Sequence, residues 1–295
     1  MALSSLEEKR AEALDDARSC GWQYLQFLET ESIHKPRDVI TIGTKLLKNN
    51  WVSSNNKWRL LERITICALE MDDKQLAADC IKELMTKFTK SSNRVRILRG
   101  MFYESKGEIK KAMDEYNFIL DPKNDANHMM AHKRKIALLV AGRQTVEAIK
   151  LLCEYLKLYG SDREAWKQLF LLYTEMHNYE LAKFCLEELI TMNHNDYTVF
   201  QLYAEQLYNL GGSNNYTNAL KYFSQALLIS SDKNTRSLWG VIMCIRALRE
   251  SSLSPSDKEL IKNCTQKIMQ NYADSKSALM DTVKNVLLTF NSSQD

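Results

Sequence analysis

His128 and His132 stand one helical turn apart in the stretch NHMMAHKRK, and histidines with this spacing can offer two imidazole ligands to one metal ion. A zinc protease helix would also carry a glutamate directly after the first histidine, where this chain has Met129. The whole chain contains five histidines. The simpler interpretation is a polar helix face in contact with solvent, so the sequence predicts no metal site.

The sequence also gives little support for a catalytic nucleophile or a phosphate-binding loop. Cys153 and Cys185 fall on apolar helical stripes next to leucines, which is typical of packing thiols rather than of activated nucleophiles. The sequence contains no G-x-S-x-G, G-x-x-x-x-G-K-[ST] or G-x-G-x-x-G motif, so it offers no nucleophile elbow and no glycine-rich cradle for a nucleotide. We therefore expect neither an enzyme nor a bound cofactor.

The run from His132 to Lys135 is the densest basic cluster of the chain. It has two interpretations: a solvated helix face whose long stems pack on their neighbours, or a basic patch in a groove that receives an acidic partner segment. Nucleic-acid binding is disfavoured, because the net charge is +3 and no pattern of basic and aromatic residues recurs from one part of the chain to the next.

Composition indicates what kind of scaffold positions these residues. The 295 residues are 45% hydrophobic but include 9 glycines and 3 prolines, a shortage that favours helices joined by short loops. The seven cysteines are widely spaced and odd in number, which is typical of free thiols in a reducing compartment. The N-terminal stretch lacks a signal-peptide core, and no apolar run approaches the roughly 20 residues of a membrane span. We therefore expect a cytosolic chain without a membrane-spanning segment.

A repeated pattern of about 35 residues organises the chain. Five stretches resemble one another, and each places one small residue on its apolar face: Ala77, Ala112, Ala148, Ala182 and Ala219. These alanines are separated by 35, 36, 34 and 37 residues. Four residues after each alanine comes a large side chain, namely Ile81, Tyr116, Leu152, Leu186 or Phe223. The pattern predicts an array of similar helical units.

A second amphipathic helix precedes each alanine, since apolar residues recur there at steps of three and four. Short turns separate the two helices, and Gly107, Gly142 and Gly211 are expected to adopt the positive φ that ends the first helix. Each alanine is expected to mark a helix crossing, where a leucine would overpack the contact at a cost of roughly 1–3 kcal/mol. One hairpin cannot bury both of its faces, so neighbouring hairpins must stack.

This arrangement resembles the tetratricopeptide repeat, whose period is near 34 residues, and the fit is best at Trp166, Leu169, Tyr173, Ala182 and Leu186. The resemblance implies an all-α, right-handed superhelical solenoid in which the first helix of each pair lines a concave groove. We predict capping helices over residues 1–55, the repeat array over 56–234, and further capping helices with a short tail over 235–295.

First-helix residues outside the packing set are predicted to point into that groove. By spacing they are Arg94, Ile97, Met101, Met130, Lys133, Ala137, Lys167, Leu171, Thr174, Gln201, Glu205 and Tyr208. Tetratricopeptide clamps that hold the acidic tail of a chaperone place lysine and asparagine at regular groove positions, and this chain lacks that set. The groove is therefore predicted to hold an extended or helical partner segment through apolar anchors and a few charge pairs.

Longer stretches resemble the subunit 2 family of the endoplasmic reticulum (ER) membrane protein complex, most clearly AHKRKIALLVAGRQTVEAIKLLCEYL (131–156), DREAWKQLFLLYTEMHNYELAKFCLEEL (162–189), QLYAEQLYNLGG (201–212) and KYFSQALLI (221–229). The resemblance implies a non-catalytic scaffold, bound peripherally at the cytosolic face of the ER membrane. The complex that it implies is an insertase for tail-anchored and multipass membrane proteins. The implied partners are cytosolic segments of membrane-spanning subunits and a globular cytosolic subunit.

Two other functions stay open. One is a free-standing tetratricopeptide adaptor or co-chaperone, which would share the same fold. The other is an RNA-binding helical repeat, which needs paired base-reading residues at equivalent positions in every repeat. The predicted groove residues show no such pairs, so protein partners are favoured over nucleic acid.

Overall fold

The computed structural model describes residues 2–89, 91–248, 254–275 and 278–292. Every regular element within these ranges is a helix, which confirms the predicted all-α class. The described chain contains 16 α-helices and a five-residue π-helical segment, Ala17–Gly21. Strong helix formers and the scarcity of glycine and proline account for this content.

The chain divides into two compact units, and their boundary between Gln144 and Thr145 falls within the stretch predicted as one array. Unit 1 contains α1 Ala2–Asp15, α2 Trp22–Thr30, α3 Pro36–Lys48, α4 Ser54–Glu70, α5 Lys74–Lys87, α6 Asn93–Ser105, α7 Ile109–Ile119 and α8 Met129–Ala141. Unit 2 contains α9 Thr145–Leu158, α10 Arg163–Glu175, α11 Tyr179–Met192, α12 Tyr197–Leu210, α13 Ser213–Ile229, α14 Thr235–Leu248, α15 Pro255–Asp274 and α16 Met280–Ser292.

A buried carboxylate ties the first helices of unit 1 together. Pro36 occupies the first turn of α3, where its missing N–H costs no hydrogen bond. Two residues later, Asp38 is buried and accepts hydrogen bonds from Nε of Arg10 at 2.9 and 3.0 Å. The hydroxyl of Tyr24 donates to the same carboxylate at 2.9 Å. Through these contacts α1 and α2 are both held against the N-terminal turn of α3.

Two helix hairpins follow in unit 1, because α4 packs on α5 and α6 packs on α7. Ala77 and Ala112 are fully buried. A Cβ on Gly100 of α6 would lie 2.4 Å from the ring of Tyr116 on α7, a distance that real Cβ atoms do not reach. The two helices can therefore approach this closely only because position 100 has no side chain.

Unit 2 repeats the same packing. Here α10 packs on α11 and α12 on α13, while α11 contacts α12 in the next hairpin. Ala148, Ala182 and Ala219 are fully buried. The region predicted as a cap begins with α14, which packs on α12, α13 and α15.

One type of backbone turn ends four of the first helices. The amides of Asp73, Glu108, Gln144 and Asn178 donate to the carbonyl five residues earlier, at 2.8 to 2.9 Å. The residue before each donor has a left-handed backbone: Asp72 at φ 59°, Gly107 at φ 74°, Arg143 at φ 56° and His177 at φ 56°. This is the Schellman arrangement, which satisfies carbonyls that the helix end leaves open.

The glycine predictions at these turns are correct in two cases and wrong in one. Gly107 and Gly211 have positive φ, the latter at 73°. Gly142 does not, since its φ is −78°. The bond from the amide of Gln144 to the carbonyl of Leu139 places the left-handed residue directly before Gln144, so Arg143 adopts that conformation instead.

Candidate partner-binding surface

The predicted groove residues of unit 1 lie in different environments. Arg94 is exposed and forms an ion pair with Glu62 on the preceding first helix. Met101 and Lys133 are half-buried. Ile97 is buried in a cluster with residues of α7 and α8, which corrects the prediction that it lines an open groove. The reason is geometric, because the side of α6 that carries Ile97 faces those helices rather than solvent.

An equivalent position of the repeat carries an accessible apolar side chain in four first helices. The residue eleven positions before the repeat alanine is Ile66 in α4, Met101 in α6, Ala137 in α8 and Leu171 in α10. Three of these are exposed, and Met101 is half-buried. Ile66 is absent from the predicted set, although its distance from Ala77 is the signal that identifies it.

Helix α10 presents Leu171 between two polar side chains that are already engaged. The ammonium group of Lys167 lies 2.9 Å from Oε1 of Glu164, and the hydroxyl of Thr174 donates to the carbonyl of Phe170 at 2.9 Å. Leu171 itself is 62% exposed. Burial of such a side chain is worth about 1.5–3 kcal/mol, and Leu171 is the one large apolar side chain that α10 leaves exposed.

A chain of polar contacts joins α12 to α14. Gln201 is buried, which corrects its prediction as an open lining residue. Its Nε2 donates to Oε1 of Glu205 at 2.8 Å, and its Oε1 accepts from Nδ2 of Asn234 at 2.7 Å. Arg236 holds the same carboxylate from the other side, with Nε 2.6 Å from Oε1 and Nη2 2.8 Å from Oε2 of Glu205. Glu205 is therefore fixed in place.

Tyr208 lines an open pocket of about 260 Å³ formed by α12, α13 and α14. Phe223 contributes a buried ring, and a Cβ on Gly240 would lie 2.5 Å from that ring. Met243 and Arg236 complete the α14 side of the pocket. The α14 residues are absent from the predicted set because the repeat alignment stops before that helix. The signal for them is Gly240, a glycine inside an apolar helical pattern.

The two histidines of the NHMMAHKRK stretch serve the start of α8. Nδ1 of His128 accepts a hydrogen bond from the amide of Ala131 at 3.3 Å, so His128 caps the helix. His132 is buried rather than solvated, and its Nε2 lies 2.8 Å from the carbonyl oxygen of Ala126. These contacts correct the interpretation of both residues as a solvated face. Of the basic residues that follow, Arg134 lies 3.4 Å from Glu104 on α6.

Five of the cysteines are buried thiols in the described chain: Cys67, Cys80, Cys185, Cys244 and Cys264. Burial raises the pKa of the Cys185 thiol to about 12 and that of Cys67 to about 11. Cys153 is half-buried, and its sulfur lies 3.7 Å from the hydroxyl of Tyr173. The raised pKa values keep Cys67 and Cys185 protonated, and therefore poor nucleophiles, at neutral pH.

The described residues contain neither a metal-binding cluster nor a membrane-spanning helix. No group of three or more histidine, cysteine, aspartate or glutamate side chains in these ranges is placed to hold a metal ion. Within the same ranges, none of the helices combines the length and the apolar character needed to cross a bilayer.

Helix hairpins that each carry a fully buried alanine in the second helix define this chain as a tetratricopeptide-repeat protein. The C-terminal part of a TPR repeat-containing protein from Cytophaga hutchinsonii superimposes with a TM-score of 0.62, over 88% of this chain and 98% of that chain, at 15% identity. The Pseudomonas aeruginosa protein pilF superimposes with a TM-score of 0.50, over 78% and 98%, at 17% identity. At this level of identity the likeness shows the fold alone.

Sequence relatives define the family more narrowly. The model of the EMC2 TPR-like repeat domain matches residues 76–222. ER membrane protein complex subunit 2 of Xenopus tropicalis is 36% identical over 214 residues, covering 72% of this chain and 70% of the relative. TPR repeat protein oca3 of Schizosaccharomyces pombe is 32% identical over 222 residues, covering 75% and 77%. The chain belongs to the ER membrane protein complex subunit 2 family.

Proposed function

We propose that this protein is a non-catalytic scaffold subunit of an ER membrane protein complex. Membership of the subunit 2 family is the observation that carries the proposal. The relatives are named as subunits of that complex, and the tetratricopeptide fold presents helix faces that suit the binding of other polypeptides. The complex is proposed to act as an insertase for tail-anchored and multipass membrane proteins, with this subunit bound peripherally on its cytosolic side.

The proposed binding surface is the open face of the first helices, described separately for each unit. In unit 1 it comprises Ile66, Met101 and Ala137, with the basic side chains of Arg94 and Lys133 beside them. In unit 2 it comprises Leu171, Tyr208 and Met243, with Lys167, Thr174, Glu205 and Arg236 as polar neighbours. Ile97 and Gln201 are left out because both are buried. We propose that cytosolic segments of membrane-spanning subunits and a globular cytosolic subunit bind here.

Exposed apolar side chains on this face support the proposal. A lone exposed leucine needs no explanation, but accessible apolar side chains at one equivalent position in the three first helices α4, α6 and α8 of unit 1 are a recurring feature. Their polar neighbours are largely tied into intramolecular contacts, as with Lys167 and Glu205. A partner would therefore gain binding energy mainly by covering the apolar groups.

The test is co-purification of the tagged chain from microsomes solubilised in a mild detergent. We expect mass spectrometry to find membrane-spanning subunits of the complex with the unaltered chain. Leu171→Glu is expected to reduce their recovery at least fivefold. Leu228→Glu is the matched control, because Leu228 is 75% exposed on a second helix, α13, and its substitution should leave recovery unchanged.

Two results would contradict the proposal. The first is recovery of cytosolic chaperones without any membrane-spanning subunit, which would favour a free-standing adaptor. The second is equal loss of partners in both variants, which would show that the first-helix face has no special role. Alkaline carbonate extraction of microsomes checks the peripheral attachment, since a peripheral subunit should leave the membrane pellet.

A further inference from the structure

Arg236 is shared by two pockets on unit 2. It lines the pocket described above, together with Tyr208 and Met243, and it also lines a neighbouring pocket of about 520 Å³. The second pocket is formed by Tyr197, Ile229, Ser230, Lys233, Asn234, Thr235 and Arg236. The arginine thus stands as a ridge between two concave sites.

Each pocket can receive an apolar side chain. The first has the ring of Phe223 and the side chain of Met243 in its lining, and the missing side chain of Gly240 lets that ring lie against the backbone of α14. The second has Tyr197, which is exposed, and Ile229, which is half-buried. Each lining thus offers at least two apolar or aromatic side chains beside its polar ones, and these can contact an apolar side chain of a bound peptide.

The accessible charge between the pockets is positive. Glu205 faces the ridge, but its side chain is 19% exposed and already bound by Gln201 and Arg236, whereas the Arg236 side chain is 69% exposed. Lys233 is exposed and makes no side-chain ion pair within the described part of the chain. The nearby carboxylate of Asp232 is bound by Lys267. An incoming negative group would therefore meet the ammonium group of Lys233 and the exposed side of the Arg236 guanidinium, which Glu205 engages through Nε and Nη2.

We infer that this surface binds an extended segment of a partner polypeptide in which one acidic side chain stands between two apolar side chains. The apolar groups occupy the two pockets, and the carboxylate contacts Arg236 and Lys233. This inference rests on the proposed function, because it specifies what part of that binding face recognises.

The dimensions of α12 fit such a segment. Tyr197 marks the second pocket and Tyr208 the first. Eleven helical residues span about 16 Å at 1.5 Å each, which equals roughly five residues of extended chain. Two apolar residues four positions apart are separated by about 13 Å of extended chain, so their side chains need to reach outward by only about 3 Å in total, and the acidic residue lies midway between them.

The experiment measures fluorescence anisotropy of labelled peptides with the full chain. The peptide GSLSDSFSG carries the proposed pattern, GSLSKSFSG reverses its central charge, and GSASDSASG removes both apolar side chains. We expect the first peptide to bind at least tenfold more tightly than either of the others. The double variant Lys233→Glu/Arg236→Glu should lose this binding and should prefer GSLSKSFSG.

Further variants distinguish the contribution of the pockets to peptide binding from that of the charged residues Lys233 and Arg236. Met243→Ser and Tyr197→Ser should each weaken binding of GSLSDSFSG several-fold, because each removes apolar lining from one pocket. Lys221→Glu is the matched charge control, since this exposed residue of α13 lines neither pocket. Circular dichroism checks that every variant remains helical.

Several results would overturn the inference. They are equal binding of the three peptides, binding that survives the double charge variant, and self-association of the chain that this variant abolishes. Failure of this inference can be distinguished from failure of the proposed function. If the peptides fail while Leu171→Glu still strips membrane subunits from the complex, the scaffold role stands and this pair of pockets is not its recognition site.

Discussion

The two helices of the α6–α7 hairpin and those of the α12–α13 hairpin are held together by different kinds of contact. In α6–α7 the buried carboxylate of Glu115 accepts from Arg96 at 2.7 Å and from Arg99 at 2.8 Å. The guanidinium of Arg96 also lies 3.5 Å above the ring of Phe118. Charged groups thus stand at positions 96 and 115, where the α12–α13 hairpin has Tyr203 and Tyr222.

The hairpin α12–α13 carries aromatic rings at the matching positions. The ring of Tyr203 meets that of Tyr222 edge to face with centroids 4.6 Å apart, and Phe200 stacks on Tyr222 at 6.2 Å. Burial and a hydrogen bond to Glu187 raise the pKa of Tyr203. Here the stabilisation is spread over many contacts rather than resting on one buried charge.

The comparison shows which features the hairpin requires. Both examples keep a fully buried alanine at the crossing, Ala112 or Ala219, and a large buried ring four residues later, Tyr116 or Phe223. The remaining contacts between the helices can be ionic or aromatic. The ionic contact in α6–α7 requires Arg96, Arg99 and Glu115 together, since removal of one charge leaves the others buried without a counter-charge.

Glu115→Ala should produce the largest effect, because it leaves two guanidinium groups facing each other in a partly buried site. We expect a loss of about 3 kcal/mol in the free energy of unfolding, measured by urea denaturation followed by circular dichroism. Asp114→Ala is the matched control on the exposed side of the same helix and should change stability by less than about 0.5 kcal/mol. A loss below about 1 kcal/mol at position 115 would mean that the ion cluster is not essential to this hairpin.

Overpacking of the crossing should affect the two hairpins equally. Ala112→Leu and Ala219→Leu are each expected to lower the unfolding free energy by about 2 kcal/mol, because both alanines are fully buried and a larger side chain would overpack the helix contact. Ala137→Leu, at an exposed position of α8, should cost less than about 0.5 kcal/mol. A clear difference between the two buried sites in the same urea experiment would refute the idea of a shared crossing.

Conversion of the ionic hairpin to an apolar one should restore most of its stability. The triple variant Arg96→Leu/Arg99→Leu/Glu115→Leu is expected to unfold within about 1 kcal/mol of the unaltered chain, since buried ion clusters are often replaceable by apolar groups of similar volume. If the triple variant is as unstable as Glu115→Ala, the charges must contribute something that apolar packing cannot replace.

The smallest effect concerns the contact between α10 and the residue that caps α12. Burial alone would raise the pKa of Asp196, but hydrogen bonds from Thr198 and Arg163 lower it below its ordinary value. A lowered pKa in the folded state contributes stability that is present above the ordinary pKa of about 4 and is lost as the pH falls through the folded value. Asp196→Asn should therefore flatten the decline of the urea midpoint between pH 4 and pH 2. Asp114→Asn, at an exposed position, should leave that decline unchanged.

Sequence patterns identified the helices, the period and the family, because a recurring alanine followed by a large residue repeats five times and needs no tertiary information. They were less informative about which first-helix residues are accessible. Ile97 and Gln201 have the same spacing as true surface positions, yet α7 covers one and a hydrogen-bonded chain from Asn234 to Glu205 encloses the other.

The helices after residue 234 show a second feature that sequence periodicity does not predict. Helix α14 lacks the alanine signature, so its contribution to the pocket beside Tyr208 is visible only once α12, α13 and α14 are packed together. His132 illustrates the same point, since its bond to the carbonyl of Ala126 depends on a loop conformation that periodicity does not encode.

The Schellman turns of the hairpins also govern where the chain can change length during evolution. The links 71–73, 106–108, 142–144 and 176–178 have three residues each, and Asp73 and Asn178 both close a turn and cap the helix that follows. One inserted residue would break both functions together. The links 88–92, 120–128, 159–162 and 193–196 vary in size, so insertions and deletions among homologues should accumulate there.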